Sequence, residues 1–585
     1  MRLVLKKIRR ITGRTVITQD AVIERGTYRV PDKVGQGVLQ ISGRDLTVNL
    51  NGARLYGKER GASVQPDEYS GIGLKITGEN ITVKNGLVSQ FHRAIVLEKC
   101  KNVSLVNFVV EDNFRQRLHS TVTKWADRDW LDIFWEASWR SYGGSIVLDS
   151  CEGCTITGSR IRHSQNGIVL FHSTYNNITR NDIAFLSGWG IGLWHSSANK
   201  ITNNRADFCV REENYGWYLR GGDSANIMIQ NGSDRNFIAF NSFKYGGDGF
   251  FISQPPSNHN VVAFNDCRFS SANAIESTFS KENVFIANNC SESGYGFWNG
   301  YSHGNVLMGN RCNGNRECGI AIEHGFDNLV YGNECRGNSG YGMLFSTGDK
   351  PMSATDYMRH EYLKATSHDT VVVNNLIDGN AKDPKKVKFR SGIFLKKSQR
   401  FKIEFNRFRN HRYAVYAEGD ISGLEMKYND IQGTALILKG TGNRDVRLNV
   451  FRRGKEELST LSMDIVPPEI SLFDKDIPQG VSTITVGTWG PLDPRSSSKM
   501  VLDKNGMLTV QRLDIRIDAM VSDRALTGRI RSMLKGVRQV VLETHPDCSA
   551  RVASKLRDFL DALGIEVDNR PFLAENEHIP YPYLP

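Results

Sequence analysis

Between Asn166 and Phe345 a short apolar alternation keeps returning, each time opened by a glycine. It reads Gly167-Ile-Val-Leu-Phe, Gly190-Ile-Gly-Leu-Trp, Gly249-Phe-Phe-Ile-Ser, Gly296-Phe-Trp-Asn-Gly, Gly319-Ile-Ala-Ile-Glu and Gly342-Met-Leu-Phe-Ser. Two asparagines five positions apart follow each phrase: Asn176 and Asn181, Asn199 and Asn204, Asn236 and Asn241, Asn260 and Asn265, Asn283 and Asn288, Asn305 and Asn310, Asn328 and Asn333. The first asparagine recurs at intervals of 23, 37, 24, 23, 22 and 23 residues. A fixed period in this range marks a solenoid. Period-two alternation without helical spacing makes its repeats short strands. The pattern predicts an all-β solenoid, a parallel β-helix, in which the residues one and three after the repeat glycine (Ile168 and Leu170, Ile191 and Leu193, Phe250 and Ile252, Ile320 and Ile322) face inward.

Taken in order, residues 1–36 read as an N-terminal cap segment and residues 37–455 as the β-helix. Three breaks in the period predict insertions near 113–143, 207–222 and 347–367. The first is rich in tryptophan and charge and reads as a short helical excursion, either walling a groove or forming a packing cluster of its own. Residues 456–585 form a small mixed α/β region, with strands at Met507-Leu-Thr-Val and Val537–Leu542 and an amphipathic helix from Ser549 to a stop at Gly564.

The glycine and asparagine phrases resemble the right-handed parallel β-helix repeats of pectate-lyase-like and polygalacturonase-like proteins, over roughly Gly37 to Phe451. The landmarks Gly-Gly-Asp-Gly-Phe-Phe (246–251) and Ile-Glu-His-Gly (322–325) are similar to uncharacterised bacterial members of that group. The resemblance implies a carbohydrate-active enzyme, although a fold does not dictate chemistry. Its catalytic motifs are mostly missing. The paired Asp-Asp of polygalacturonases is a single Asp248, their Gly-His-Gly is only partly echoed by Ser302-His303-Gly304, and the Asp-Pro-His-Asp of alginate epimerases is absent.

Charge and cysteines change this picture little. A net charge of +11 over 585 residues suits an anionic partner as well as a merely basic surface. It comes without the basic stripe or motif of a nucleic-acid binder. No stretch is apolar for long enough to span a membrane as a helix. The first residues lack the apolar core of a secretory signal; a secreted or periplasmic placement, with the signal removed, is expected from the resemblance alone. Cys267, Cys290, Cys312 and Cys335 occupy a column that holds Ile183, Phe243 and Phe408 in other coils. They are expected to be free core thiols, and neither they nor the Cys151/Cys154 pair predicts a metal site. The repeating asparagines are expected to form structural amide ladders.

The outward positions carry the candidate chemistry. They include Trp194, Gln230, Asp248, Glu276, Trp298 and Glu323, with His195 and His324 at the adjoining turn. Asp248 and Glu276 fall on neighbouring coils, one coil step and three strand residues apart, which puts their Cα atoms about 11 Å from each other. Side chains leaning together could then reach the roughly 5–9.5 Å carboxyl separation that glycosidases use. Glu323 is a third candidate, and Asp223, at the mouth of the second insertion, could assist Asp248. Clustering of like charges keeps one carboxyl protonated beside an ionised one. Trp194, Trp217 and Trp298 would stack on sugar rings, with Gln230, His195 and His324 alongside. Arg211, Arg220 and His303 would hold an acidic substituent. These residues lead to a glycoside hydrolase acting on a polysaccharide or oligosaccharide without a cofactor. A lyase or epimerase on a uronate polymer, with calcium as an option for the lyase, is one alternative; a non-catalytic glycan-binding rod is the other. Monomer and homotrimer are both open.

Overall fold

The computed structural model describes residues 6–120, 126–212, 221–253, 256–348, 365–432, 435–452, 484–493, 495–512, 515–521 and 530–571. The chain winds as a right-handed parallel β-helix with three strands per coil, so that each strand pairs in register with its counterpart one coil away. The first face runs through Gly144–Asp149, Ile168–Phe171, Trp189–Trp194, Ala225–Gln230, Asp248–Ile252, Asn273–Ser277, Tyr295–Gly300, Ile320–Glu323 and Met343–Ser346. The second carries the strand before each ladder asparagine, such as Phe237–Ala239 and Val261–Ala263. The third includes Arg160–Arg162, Asp182–Leu186 and Glu334–Arg336. Pairing reaches back into the segment read as a cap, where Lys6–Ile8, Thr15–Ile17, Ala21–Ile23 and Thr27–Arg29 already add parallel strands.

The predicted inward residues form one continuous core, with Ile168, Leu170, Ile191, Leu193, Phe250, Ile252, Ile320 and Ile322 all fully buried. Cys267, Cys290, Cys312 and Cys335 stack in it as free thiols, and Cys151 and Cys154 are likewise free and buried.

Corners are held by side-chain ladders. The residue before each second asparagine is left-handed, from Arg180 and Asn203 through Phe240, Phe264 and Ala287 to Phe405 and Tyr428. That conformation costs roughly 1–2 kcal/mol for a residue with a Cβ. The following asparagine compensates by bonding three coils together. Asn265 Oδ1 accepts from the main-chain N–H and the side-chain amide of Asn241, both at 3.0 Å. Its Nδ2 donates to the Ile238 carbonyl and to Asn288 Oδ1, again at 3.0 Å. A third ladder, at the remaining corner, runs from Ser270 through Ser293, Asn315, Asn338 and Asn380 to His411. Its mixed residue types hide it from a search for repeated asparagine.

The first insertion supplies a 3-10 turn at Asp127–Asp129 and a helix at Glu136–Ser141. Its Leu131, Ile133, Trp139 and Tyr142 pack onto the outer surface of the first face. Beyond the coils, Ile484 and Val486 return to mid-rod, where they pack with Leu118, Phe185, Phe208 and Tyr245 on the third face. The Leu118 N–H donates to the Thr488 carbonyl at 2.8 Å. The remaining C-terminal residues build a five-stranded mixed sheet with the helix Ala550–Ala562 around a separate core. No helix among the described residues is long and apolar enough to cross a membrane.

Replacing Asn265 by alanine removes four buried hydrogen bonds and orphans the Asn241 N–H. The expected loss is on the order of 3 kcal/mol, read as a lower urea-unfolding midpoint.

Candidate active site

The first face exposes to the outside a column that register pairing traces coil by coil: Val96, Val147, Val169, Gly192, Met228, Phe251, Glu276, Trp298, Ala321, Leu344, Phe394, Tyr416 and Ile437. An outward column this apolar needs cover, and two separate segments provide it. The first insertion covers the column as far as Phe251. Ala381, Val387 and Phe389 cover it from Trp298 onward, together with Tyr295 and Tyr341. Between Val96 and Ile437 Glu276 is the only charged residue in the column, and it sits where the two covers meet.

Asp248 comes to the same place from one coil earlier. Phe251 pairs with Glu276, so the two acids are one coil step and three strand positions apart, as the spacing predicts. Asn273 ties them together. Its main-chain N–H donates to Asp248 Oδ1 at 2.8 Å, and its side-chain amide donates to Glu276 Oε2 at 2.7 Å. The two accepting oxygens are therefore no more than about 10 Å apart, the reach of one asparagine plus two hydrogen bonds. Asn273 is 1 % exposed and its own Oδ1 has no partner. A buried amide oxygen left open beside two acids is a costly arrangement, and it gives a ligand donor an acceptor to meet.

Asp223 completes the group. Gly221, Gly222 and Asp223 are consecutive left-handed residues, a corner that glycine makes cheaply. The Leu131 N–H and the Trp189 indole N–H donate to the carbonyls of Gly222 and Asp223, at 3.1 and 2.8 Å. The first insertion thereby fixes the corner of the second, and the Trp130 side chain hydrogen-bonds the Asp223 carboxyl.

All three carboxyls are held above the ordinary carboxylate range, chiefly by burial. Asp223 is pushed up to about 7, with the Trp130 hydrogen bond opposing and Asp132 adding to the rise. Asp248 rises well above its usual value despite the Asn273 N–H, helped by the charges of Asp223 and Glu212. Glu276 rises similarly, with Asp248 and Asp223 repelling its ionised form. The charges that act most strongly here are all acidic. Such a group ionises stepwise, holding a protonated carboxyl beside an ionised one near neutrality.

Several other candidates serve the scaffold instead. Trp194 is 2 % exposed beneath Trp139, its ring centre 5.2 Å away, so it offers no face to a sugar. Arg211 is buried, and it donates to the carbonyls of Asp129 and Ser187, each at 2.6 Å, and to Gln116 Oε1. Gln230 is buried and its amide donates to the Ile133 carbonyl. Both residues anchor the first insertion. His324 accepts the Gly348 N–H at Nε2 and bonds the Ala365 carbonyl through Nδ1. Both ring nitrogens are thereby spent on the scaffold. His195 is exposed but stacks on His172 at 5.2 Å, on a corner some coils upstream. His303 stacks on Phe326 at the corner before the second face. Glu323 lies two coils beyond Glu276 in the next outward column, where burial raises its carboxyl and His324 and Lys396 oppose the rise. Trp217 and Arg220 lie outside the described residues. Of the two proposed sugar platforms among the described residues, Trp298 stands at the acids, partly exposed and directly paired with Glu276, and Trp194 does not. Sequence reasoning missed Asn273 and Trp130. Asn273 occupies the outward position one coil after Asp248 and was open to the same phase argument; Trp130 depends on where the insertion docks.

The sequence pattern of a family described as periplasmic copper-binding protein NosD matches residues 39–232, and that of the right handed beta helix region matches residues 214–356. Neither spans half of the chain. No curated protein sequence matches. Similar solved structures include the mannuronan C-5 epimerase AlgE6 A-module of Azotobacter vinelandii, 12% identical over 75% of this chain and 92% of that one, TM-score 0.36. Others are a mutant of the periplasmic alginate epimerase AlgG (12% identity, 69% and 77%, 0.35) and the DFA-IIIase of Arthrobacter chlorophenolicus A6 in complex with GF2 (10%, 56% and 81%, 0.32). At these values the likenesses do not bear on chemistry. Nor do the described residues of the first match assemble a soft copper donor set: Cys100, Cys151, Cys154 and Cys209 all point into the core. The one metal-compatible group among the described residues is Asp327, His368 and Asp369, in which the Arg400 guanidinium already occupies both Asp369 oxygens.

A carboxyl raised by folding makes stability fall as pH climbs from its unfolded value toward its folded one. For Asp223 that window is about pH 4 to 7. Asp223→Asn should therefore gain stability relative to the parent progressively across this window, reaching an amount on the order of 4 kcal/mol, and hold the gain above it. Thermal midpoints of the two proteins from pH 4 to 8 measure it.

Proposed function

We propose that this chain is a carbohydrate-active enzyme, a glycoside hydrolase whose acid and base are drawn from Asp248 and Glu276. The observation that carries the reading is the buried carboxyl group at the meeting of the two covers, with an open amide oxygen and a partly exposed tryptophan beside it. Hydrolysis of a glycosidic bond needs a proton donor for the leaving oxygen and a carboxylate for water or the anomeric carbon. Mutual repulsion at this site separates the two protonation states that such a reaction needs. Asp223, near 7, would tune which of the pair holds the proton. Trp298 would stack on a sugar ring.

A lyase or epimerase would want a basic residue at the acids to take the proton next to the uronate carboxyl. Arg211 and His324, two of the basic residues considered for substrate contact, are committed to the scaffold, which favours hydrolysis. A secreted or periplasmic placement goes with a polymeric substrate, and the description of the first matched family is in keeping with it.

Incubation with a panel of neutral and acidic polysaccharides, followed by a reducing-end assay, tests the reading. New reducing ends without ultraviolet absorbance are expected. Glu276→Gln and Asp248→Asn should each lower kcat by about 10²–10⁴-fold while sugar binding persists. Release with absorbance from an unsaturated product would replace the hydrolase by a lyase. Binding without turnover, unchanged in both variants, would leave a glycan-binding rod.

A further inference from the structure

The second face of the rod changes character along its length. Its two outward columns are polar in the early coils, as at Thr155 and Thr157, Asn177 and Thr179, or Lys200 and Thr202. Over the next six coils both turn apolar. One column becomes Phe237, Val261, Val284, Val306, Leu329 and Val371. The other runs from Ala239 through Ile286 and Met308 to Val373 over the same pairings. Ala239 and Ala263 are buried, but the other side chains are not covered as those of the first face are: Phe237 is 41% exposed, Tyr331 40% and the flanking Phe240 43%, and the valines of the first column are partly exposed. Beyond them the face becomes charged in a regular way. One column carries Lys402, Glu425 and Asp445, and the other Glu404, Lys427 and Arg447. Each of these coils thus sets one acid beside one base, and within the chain Lys427 pairs with Glu425 and Asp445, each at 2.8 Å, and Arg447 with Asp445 at 2.9 Å.

We infer that this face is the contact surface between two copies of the chain, related by a two-fold axis parallel to the rod. Such an axis keeps coils level and lays one column of each copy on the other column of its mate. Apolar positions then meet apolar positions through all six coils. Below them Lys402 meets Glu404, Glu425 meets Lys427, and Asp445 meets Arg447, in both directions across the axis. An antiparallel pairing lays each column on itself and sets Lys200 against Lys402, so the charge pattern selects the parallel arrangement. The nine coils from Phe237 to Asp445 span about 43 Å of rod. At a width of roughly 15 Å they offer on the order of 650 Å² per copy, within the about 600–1,000 Å² per partner of a specific interface. The inference is independent of the enzymatic reading, because the acids lie on a different face.

Sedimentation equilibrium of the full chain over a wide concentration range tests it, and a dimer is expected. Val306→Lys, at a partly exposed outward position, should raise the dimer dissociation constant at least about a hundredfold, with an unchanged circular dichroism spectrum and melting profile confirming the fold. A second test reads the axis. Lys402→Glu alone and Glu404→Lys alone should each weaken self-association, since like charges then meet across the axis. Mixing the two variants should restore a dimer, because every 402–404 contact between them is again of opposite sign. A monomer at all concentrations, a trimer, a dimer that survives Val306→Lys, or a mixture no tighter than its components would overturn the proposal.

Discussion

The fold rests on the exchange of hydrogen bonds between identical positions of successive coils. Parallel pairing alone would satisfy the strands, but a coil has three corners, and each one turns through a residue in the left-handed region. Buried asparagine at the same phase supplies the missing partners. It accepts the N–H of its counterpart in the preceding coil and donates to a carbonyl of that same coil. Every coil is therefore both template and ligand for its neighbours, and the cost of the corner is met by bonds that no isolated coil could make. The third ladder shows that the geometry matters more than the residue, since serine, asparagine and finally His411 occupy it in turn. Burial pulls His411 down to about 4, so it stays neutral and can accept.

A regular rod presents regular faces, and what distinguishes one part from another is what covers it. The first face is apolar on its outer side because two segments far apart in sequence lie on it. The carboxyls occupy the interval between those covers. Asp248 is buried and Glu276 half-buried in that interval, with Trp139, Leu131 and Ile133 packed on one side of it and Val387 and Phe389 on the other. The same packing explains why so many promising residues are occupied. An arginine, a glutamine and a tryptophan near a groove read from sequence as substrate contacts, yet Arg211, Gln230 and Trp194 spend their polar or aromatic surface on fastening the cover.

Particular residues show where legibility stops. Phase counting placed Asp248 and Glu276 correctly, one coil and three positions apart, because a strand alternates strictly and a coil step is constant. It could not tell an outward position that meets solvent from one that meets an insertion, and this is how Trp194 came to look like a sugar platform. The docking of the first insertion on Gly222, and with it the Trp130 contact to Asp223, depends on the path of an irregular segment whose own periodicity is nil.

The sequence by itself determined the solenoid, its core columns, its free thiols and its asparagine ladders, because each arises from a local repeat whose partner lies one period away. Tertiary structure alone decided which outward residues are covered, which acids are brought together, and where the C-terminal region returns to the rod. Those outcomes join segments tens to hundreds of residues apart, as Leu118 joins Thr488. Nothing periodic links such segments; only the shape and apolar surface of the finished coils select where they settle.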